Sequence, residues 1–245
     1  MVFLSNPPEA DKSLRLAFEM TRNEPSERCG EAHPVNMHKK PSQIIILMIG
    51  QKKMKNVVFL DRDGVINRDS PDYIKSWSEF EFLPGSLEAL KQLTQNRFPV
   101  IVITNQSVIH RKMVSKEDLD VIHNMMKKVV QSNGGEIKDI FYCPHVPEDG
   151  CDCRKPNPGL IYRAKKRYQI DLETSIMVGD SAKDIECARN AGCGSAILVK
   201  TGNGVMAEKI LKEKMIYPDV IVQNLLEAVN WIVTRNHPTA LPDNS

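Results

Sequence analysis

The chain has 245 residues, enough for one α/β domain with an appendage. Lys and Arg total 33 against 31 Asp and Glu, and this near-balance of +2 argues against a general nucleic-acid binder. With 41% hydrophobic and 26% charged residues the chain is not of disordered composition, and no apolar run approaches the ~20 residues of a bilayer span.

Residues 1–53 carry prolines at 7, 8, 25, 34 and 41 and no sustained hydrophobic period. They read as a poorly ordered extension. Within it, Leu14 to Met20 suits a short helix, and the six residues Ile44 to Ile49 suit a strand or a short buried segment. Val2-Phe3-Leu4 is too short for a secretory leader. A start at Met54 remains open, because the regular pattern begins just after it.

From Met54 the chain alternates strands and helices. Val57, Val58, Phe59 and Leu60 form a continuous apolar run, as in a strand buried on both faces. Pro84-Gly85-Ser86 offers a turn and a helix start, and Leu87, Leu90 and Leu93 follow at helical spacing. Val100 to Ile103 is a second buried strand. Ser115 and Asp118 resemble a capping box before the stripe Leu119, Ile122, Met126 and Val129, which Gly134-Gly135 ends. Ile137 to Tyr142, Ser175 to Val178, Ala196 to Val199 and Val220 to Val222 read as further strands. Helices are expected over Pro158 to Tyr168, Ala182 to Ala191 and Leu225 to Ile232. The alternation predicts a three-layer Rossmann-like parallel sheet with its site at the strands' carboxyl ends. No insertion is long enough for a large cap domain. The domain is expected over residues 54–235, with 236–245 as a tail.

The chemistry-bearing residues fall at those strand ends. Asp61 and Asp63, two apart in Asp-Arg-Asp-Gly, project to one side of an extended segment and suit a nucleophile and a general acid. Thr104, Asn105, Gln106 and Ser107 follow the second strand, where hydroxyl and N–H groups can receive phosphate oxygens. Arg154-Lys155-Pro156 offers fixed cations for a phosphate. Asp180 in Gly179-Asp180-Ser181 can join Asp61 on a hard cation such as Mg²⁺, and Asp184 can orient Lys155 or the metal shell. Cys143, His145, Cys151 and Cys153 are four good ligands within eleven residues. They suit a closed, structural Zn²⁺ site whose position sets that of Arg154 and Lys155. Cys187 and Cys193 read as buried packing, His110 as a loop histidine and His123 as structural. For Trp77 and Phe80, packing over the site and substrate contact both remain open.

Together these four strand-end motifs resemble the haloacid-dehalogenase-like (HAD) phosphohydrolases, from Met54 to about Gly204. The resemblance implies that Asp61 attacks phosphorus and Asp63 protonates the leaving alcohol, then activates water. It implies that Thr104 and Lys155 hold the phosphoryl group. It also implies Mg²⁺ on Asp61, Asp180 and the backbone carbonyl of Asp63. The zinc loop, Arg154 to Gly159 and Asn105-Gln106-Ser107 are similar to the D-glycero-D-manno-heptose 1,7-bisphosphate 7-phosphatases. A histidinol-phosphatase, which usually carries an acidic residue where Ser107 stands, or another small sugar-phosphate phosphatase is the alternative. A non-catalytic binding protein is a further alternative, which the full set of site residues disfavours. The heptose pattern has Gly after Asn-Gln-Ser and a later Arg-Gly, whereas this chain has Val108 and Lys112. The expected partner is a small phosphorylated sugar. No nucleic acid or membrane partner, a monomeric state and a cytoplasmic location are expected.

Overall fold

The structure, a computed structural model, describes residues 53–236. The expectations for residues 1–52, including the helix at Leu14 to Met20 and the apolar run Ile44 to Ile49, lie outside the described residues, as does the tail from 237. Six strands follow one another: β1 (Val58–Leu60), β2 (Val100–Asn105), β3 (Asp139–Cys143), β4 (Ile176–Gly179), β5 (Ser195–Val199) and β6 (Val220–Val222). All pair in parallel in the order β3-β2-β1-β4-β5-β6. The sheet therefore reverses direction of growth at β1, the switch point where doubly wound sheets form their crevice.

Six helices cover the two faces: α1 (Ser86–Gln95), α2 (Lys116–Ser132), α3 (Gly159–Tyr168), α4 (Ala182–Ala191), α5 (Gly204–Glu213) and α6 (Leu225–Asn236). Alternation along each strand divides the core between the faces. Val58, Leu60, Val100 and Val102 pack with Leu90 and Leu93 of α1, Met126 of α2 and Val229 of α6. Val57, Phe59, Ile101 and Ile103 pack with Leu160 of α3, Ile185 of α4 and Leu211 of α5. The central strands are buried up to Thr104 of β2, which accounts for their largely apolar sequences.

Ser115 accepts from the Asp118 N–H at 3.0 Å, so α2 starts as expected. The Asp118 carboxylate accepts from the Ser115 hydroxyl at 2.6 Å, which replaces the return bond of a capping box. The excursion after β1 is a small flap closed by Arg68 N–H to Glu81 O (2.8 Å) and Leu83 N–H to Ile66 O (3.0 Å). It is not a cap domain. Among the described residues, no helix is long and apolar enough to cross a membrane.

Candidate active site and metal centre

The carboxyl ends of β1, β2 and β4, with the loops after β3 and β5, enclose a cavity of about 550 Å³. Asp61, Asp63, Thr104 to Ser107, Arg154, Lys155 and Asp180 all line it, so every expected phosphate-site residue reaches one space. Asp61 leaves β1 with its N–H on Val178 O of β4 (3.0 Å). Its Oδ1 accepts from the Lys155 ammonium at 2.9 Å and from the Arg62 N–H at 2.7 Å. Oδ2 accepts nothing from the described residues and is the oxygen left to react or to bind a cation.

Lys155 is 3% exposed. Its ammonium sits between Asp61 and Asp184 and also donates to Ile103 O at 2.9 Å. Asp184 Oδ1 meets it as an ion pair without hydrogen-bond geometry. Burial works against the lysine's charge, but the Asp184 and Asp61 carboxylates outweigh it and hold the ammonium protonated. Asp184 Oδ2 takes the Ser181 N–H (3.0 Å) and hydroxyl (2.7 Å) at the start of α4. Helix capping therefore falls to Asp184, which leaves Asp180 free for the cavity.

Asp61, Asp180 and Asp184 bring carboxylate oxygens within 4.8 Å of one another. Burial, then the neighbouring carboxylates, push Asp180 up to about 8. Burial is also the main cause that raises Asp61 to about 7, against the pull of Lys155. One ammonium does not neutralise three such groups, and the donor set is the hard oxygen type that suits Mg²⁺. The backbone is shaped for it. Gly64 (φ +81) and Gly202 (φ +56) both lie where a Cβ would overlap Asp180 Oδ2. Thr201 Oγ1 donates to Gly64 O at 2.6 Å, and the Asn203 N–H to Asp180 Oδ2 at 2.8 Å, so the loop after β5 closes on the carboxylates.

Asp63 is held differently. Arg62 donates to it from Nη2 (2.9 Å) and Nε (3.2 Å), Asn67 from Nδ2 (2.9 Å) and Gln106 from Nε2 (2.8 Å). Burial alone raises its proton affinity, but the Arg62 charge and these donors more than offset that and hold it below the usual range. Arg62 is 1% exposed and also reaches Gln106 Oε1 and His123 Nε2, each at 3.2 Å. Its role was not legible in the sequence: a charged residue between two aspartates gives no sign of being the most buried of the three. Asn67, Thr201 and Asn203 were missed for the same reason.

Some expected residues act through others. Asn105 clamps the Lys155 backbone, donating to its carbonyl (3.3 Å) and accepting from its N–H (3.1 Å). Gln106 donates to Thr104 Oγ1 at 2.9 Å as well as to Asp63. Arg154 pairs not with Asp152, which Arg163 takes, but donates from Nη1 to His145 O at 2.9 Å. The backbone of the Cys/His loop thus braces it at the cavity wall. Trp77 and Phe80 stack at 5.0 Å over the core with Phe82 and do not line the cavity, which settles them as packing residues. His110 pairs with Asp149 outside the cavity. Cys187 and Cys193 are buried as expected. Val108, where the heptose pattern has Gly, is buried with Val114 and Leu119, and Lys112 at the second such position adopts φ +54.

Cys143, His145, Cys151 and Cys153 converge as a separate cluster. The sulfurs lie 3.3–3.6 Å apart, and His145 Nδ1 is 3.5 Å from Cys143 and 3.3 Å from Cys153. None is in a disulfide. Tetrahedral zinc with bonds of about 2.0–2.3 Å sets ligand edges of about 3.5–3.8 Å, so the cluster has nearly the size of a closed Zn²⁺ shell.

Comparison with known proteins agrees. A HAD-hydrolase-like family model matches residues 152–228. The D-glycero-beta-D-manno-heptose-1,7-bisphosphate 7-phosphatase of Pseudomonas aeruginosa is 46% identical over 151 residues, 62% of this chain and 84% of that protein. The chain belongs to the heptose-bisphosphate phosphatase family. The Bordetella bronchiseptica member is 45% identical over 148 residues, 60% of this chain and 82% of its own length. The crystal structure of D,D-heptose 1,7-bisphosphate phosphatase from B. bronchiseptica, complexed with magnesium and phosphate, superposes with a TM-score of 0.69 at 39% identity. It covers 74% of this chain and 99% of that one. The heptose-bisphosphate phosphatase fold thus accounts for the described sheet and helices.

Proposed function

We propose that the chain hydrolyses the 7-phosphate of D-glycero-D-manno-heptose 1,7-bisphosphate through an aspartyl-phosphate on Asp61. The observation that carries this is the Asp61 carboxylate, pinned through one oxygen by Lys155 and open through the other, in a cavity whose walls are those of a phosphatase family. Asp61 Oδ2 attacks phosphorus in line as the bond to the C7 oxygen breaks, and Asp63 gives that oxygen a proton. Asp63 then takes a proton from water, which attacks phosphorus and frees Asp61 and inorganic phosphate. The resting Asp63 is ionised, and the approaching phosphate dianion raises its proton affinity. Thr104 and Lys155 hold the phosphoryl oxygens throughout.

Asp61, Asp180 and the Asp63 backbone carbonyl would hold Mg²⁺, which supplies charge neutralisation between the carboxylates and the phosphoryl group. Cys143, His145, Cys151 and Cys153 would hold Zn²⁺ in a structural role. Phosphate release from the heptose bisphosphate, histidinol phosphate and an aryl phosphate, with wild type and Asp61→Asn, tests the reading. The expected result is preference for the bisphosphate and loss of nearly all turnover in Asp61→Asn. Preference for histidinol phosphate overturns the substrate. An Asp61→Asn enzyme within a few-fold of wild type overturns the mechanism.

A further inference from the structure

We infer that His123, a buried residue of α2, is a positioning residue that aligns Arg62 on Asp63 and so sets the rate of the proton-transfer steps. The inference rests on the acid–base role proposed for Asp63. His123 is 5% exposed and its Nε2 lies 3.2 Å from Arg62 Nη1. A guanidinium has donors only, so Nε2 must be the lone-pair nitrogen, and the imidazole is the neutral Nδ1–H tautomer. Burial, and next the Arg62 charge, lower the ring to about 3, which keeps this acceptor available at every working pH.

The guanidinium is planar, so fixing one nitrogen fixes the others. With Nη1 on His123 and Nη2 shared between Gln106 and Asp63, the plane has one orientation, and Nε completes the fork on the carboxylate. His123 thus restrains Asp63 at second hand, from an element that contributes no residue to the cavity wall. Without the acceptor, Nη1 is a buried donor without a partner, and the fork can turn away from Asp63.

A residue that acts this way affects turnover more than binding. The experiment measures kcat and KM of His123→Leu and His123→Gln on the heptose bisphosphate and on para-nitrophenyl phosphate, with thermal melting to report the fold. His123→Leu is expected to lower kcat on the bisphosphate roughly ten- to hundred-fold, the scale of an ångström-level misplacement, with KM within about three-fold. His123→Gln, which keeps an acceptor, is expected to recover most of the loss. The loss on para-nitrophenyl phosphate is expected to be smaller, because nitrophenolate leaves without a proton. A folded His123→Leu enzyme with wild-type kcat, or a Gln variant as impaired as Leu, overturns the inference. If His123→Leu does not fold, His123→Met makes the same comparison. Asp63→Asn, assayed alongside, separates the two readings: its retaining turnover defeats the acid–base role itself, whereas its loss with His123→Leu unaffected defeats only the positioning.

Discussion

Removing the Arg154 guanidinium tests whether the Cys/His loop contributes to substrate recognition. Nη1 donates to the His145 carbonyl at 2.9 Å, Nη2 and Nε have no partner among the described residues, and Arg154 lines the cavity. A phosphate that takes both in a bidentate, charge-assisted contact gains about 1.5–3 kcal/mol, or roughly 10- to 150-fold in kcat/KM. Loss of the bond to His145, whose donor is charged, costs stability by up to about 1.5–3 kcal/mol, less where water screens the guanidinium. Arg154→Ala is therefore expected to lower kcat/KM for the heptose bisphosphate by that factor. It should have little effect on para-nitrophenyl phosphate, which has no second phosphate. Arg154→Lys keeps the charge without the fork and should fall between. Phosphate-release kinetics on both substrates, with a melting curve for each variant, make the comparison. Equal losses on the two substrates would refute the reasoning, because Arg154 would then serve the reacting phosphate or the fold.

Zinc is expected at one per chain by elemental analysis, and Cys153→Ser should lose it and melt lower. Finding no zinc in the wild type, with the cysteines joined as disulfides, contradicts the closed metal shell. Gly202→Ala places a Cβ against Asp180 Oδ2 and 2.8 Å from Gly64 Cα. It should cost about 1–3 kcal/mol beyond the left-handed backbone term and weaken Mg²⁺ binding. Gly192→Ala, at φ +78 with open space around it, should show the backbone term alone, and identical losses at the two sites would defeat the argument.

The pH prediction follows from Asp61 and Asp180. Their carboxyls are raised from 3.8 to about 7 and about 8 by burial above all, so in metal-free protein their contribution to stability is full below the unfolded value and is lost as pH rises through 7 to 8. Mg²⁺ binds the ionised forms, so the melting shift it produces should grow from about pH 6 to about pH 8.5. A shift that is flat or shrinks over that range rules out the proposed ligands.

The order of strands and the site's position were legible because both come from local pattern. Continuous apolar runs mark central strands, and short polar motifs just beyond them mark the carboxyl edge. The helix α5 was not anticipated. Its Val205 and Met206 are exposed while Ala207 and Leu211 are buried, so its apolar residues do not mark one inward stripe. Its N-cap Asn203 makes no side-chain cap and instead donates to Asp69 at 3.0 Å and to Asp180. Trp77 looked like a candidate flap contact because an aromatic after a catalytic motif suits either a core or a lid. Only three-dimensional proximity to Phe80 and Phe82 separates the two. The Arg62 network was invisible for a related reason: burial of a charge depends on partners such as Gln106 and His123, 44 and 61 residues away.

The central place of β1 bears on when the site comes into being during synthesis. β1 is made first among the six strands, yet one of its two neighbours, β4, lies more than a hundred residues later in the chain. The closing bond from Thr201 to Gly64 O spans 137 positions. A nascent chain can pair β1 with β2 and gather the four Cys/His side chains once Cys153 is available. It still lacks Asp180, Asp184 and the loop that closes over them. The half that carries the Cys/His cluster is therefore free to form on the ribosome, while the buried ammonium of Lys155 waits for its second carboxylate. Long-range parallel pairing of this kind is slow, and it waits until β4 and the loop after β5 have been made. The Asp61 carboxylate, at the end of the first of the six strands, thus gains its full surroundings only once the loop after β5 has been made.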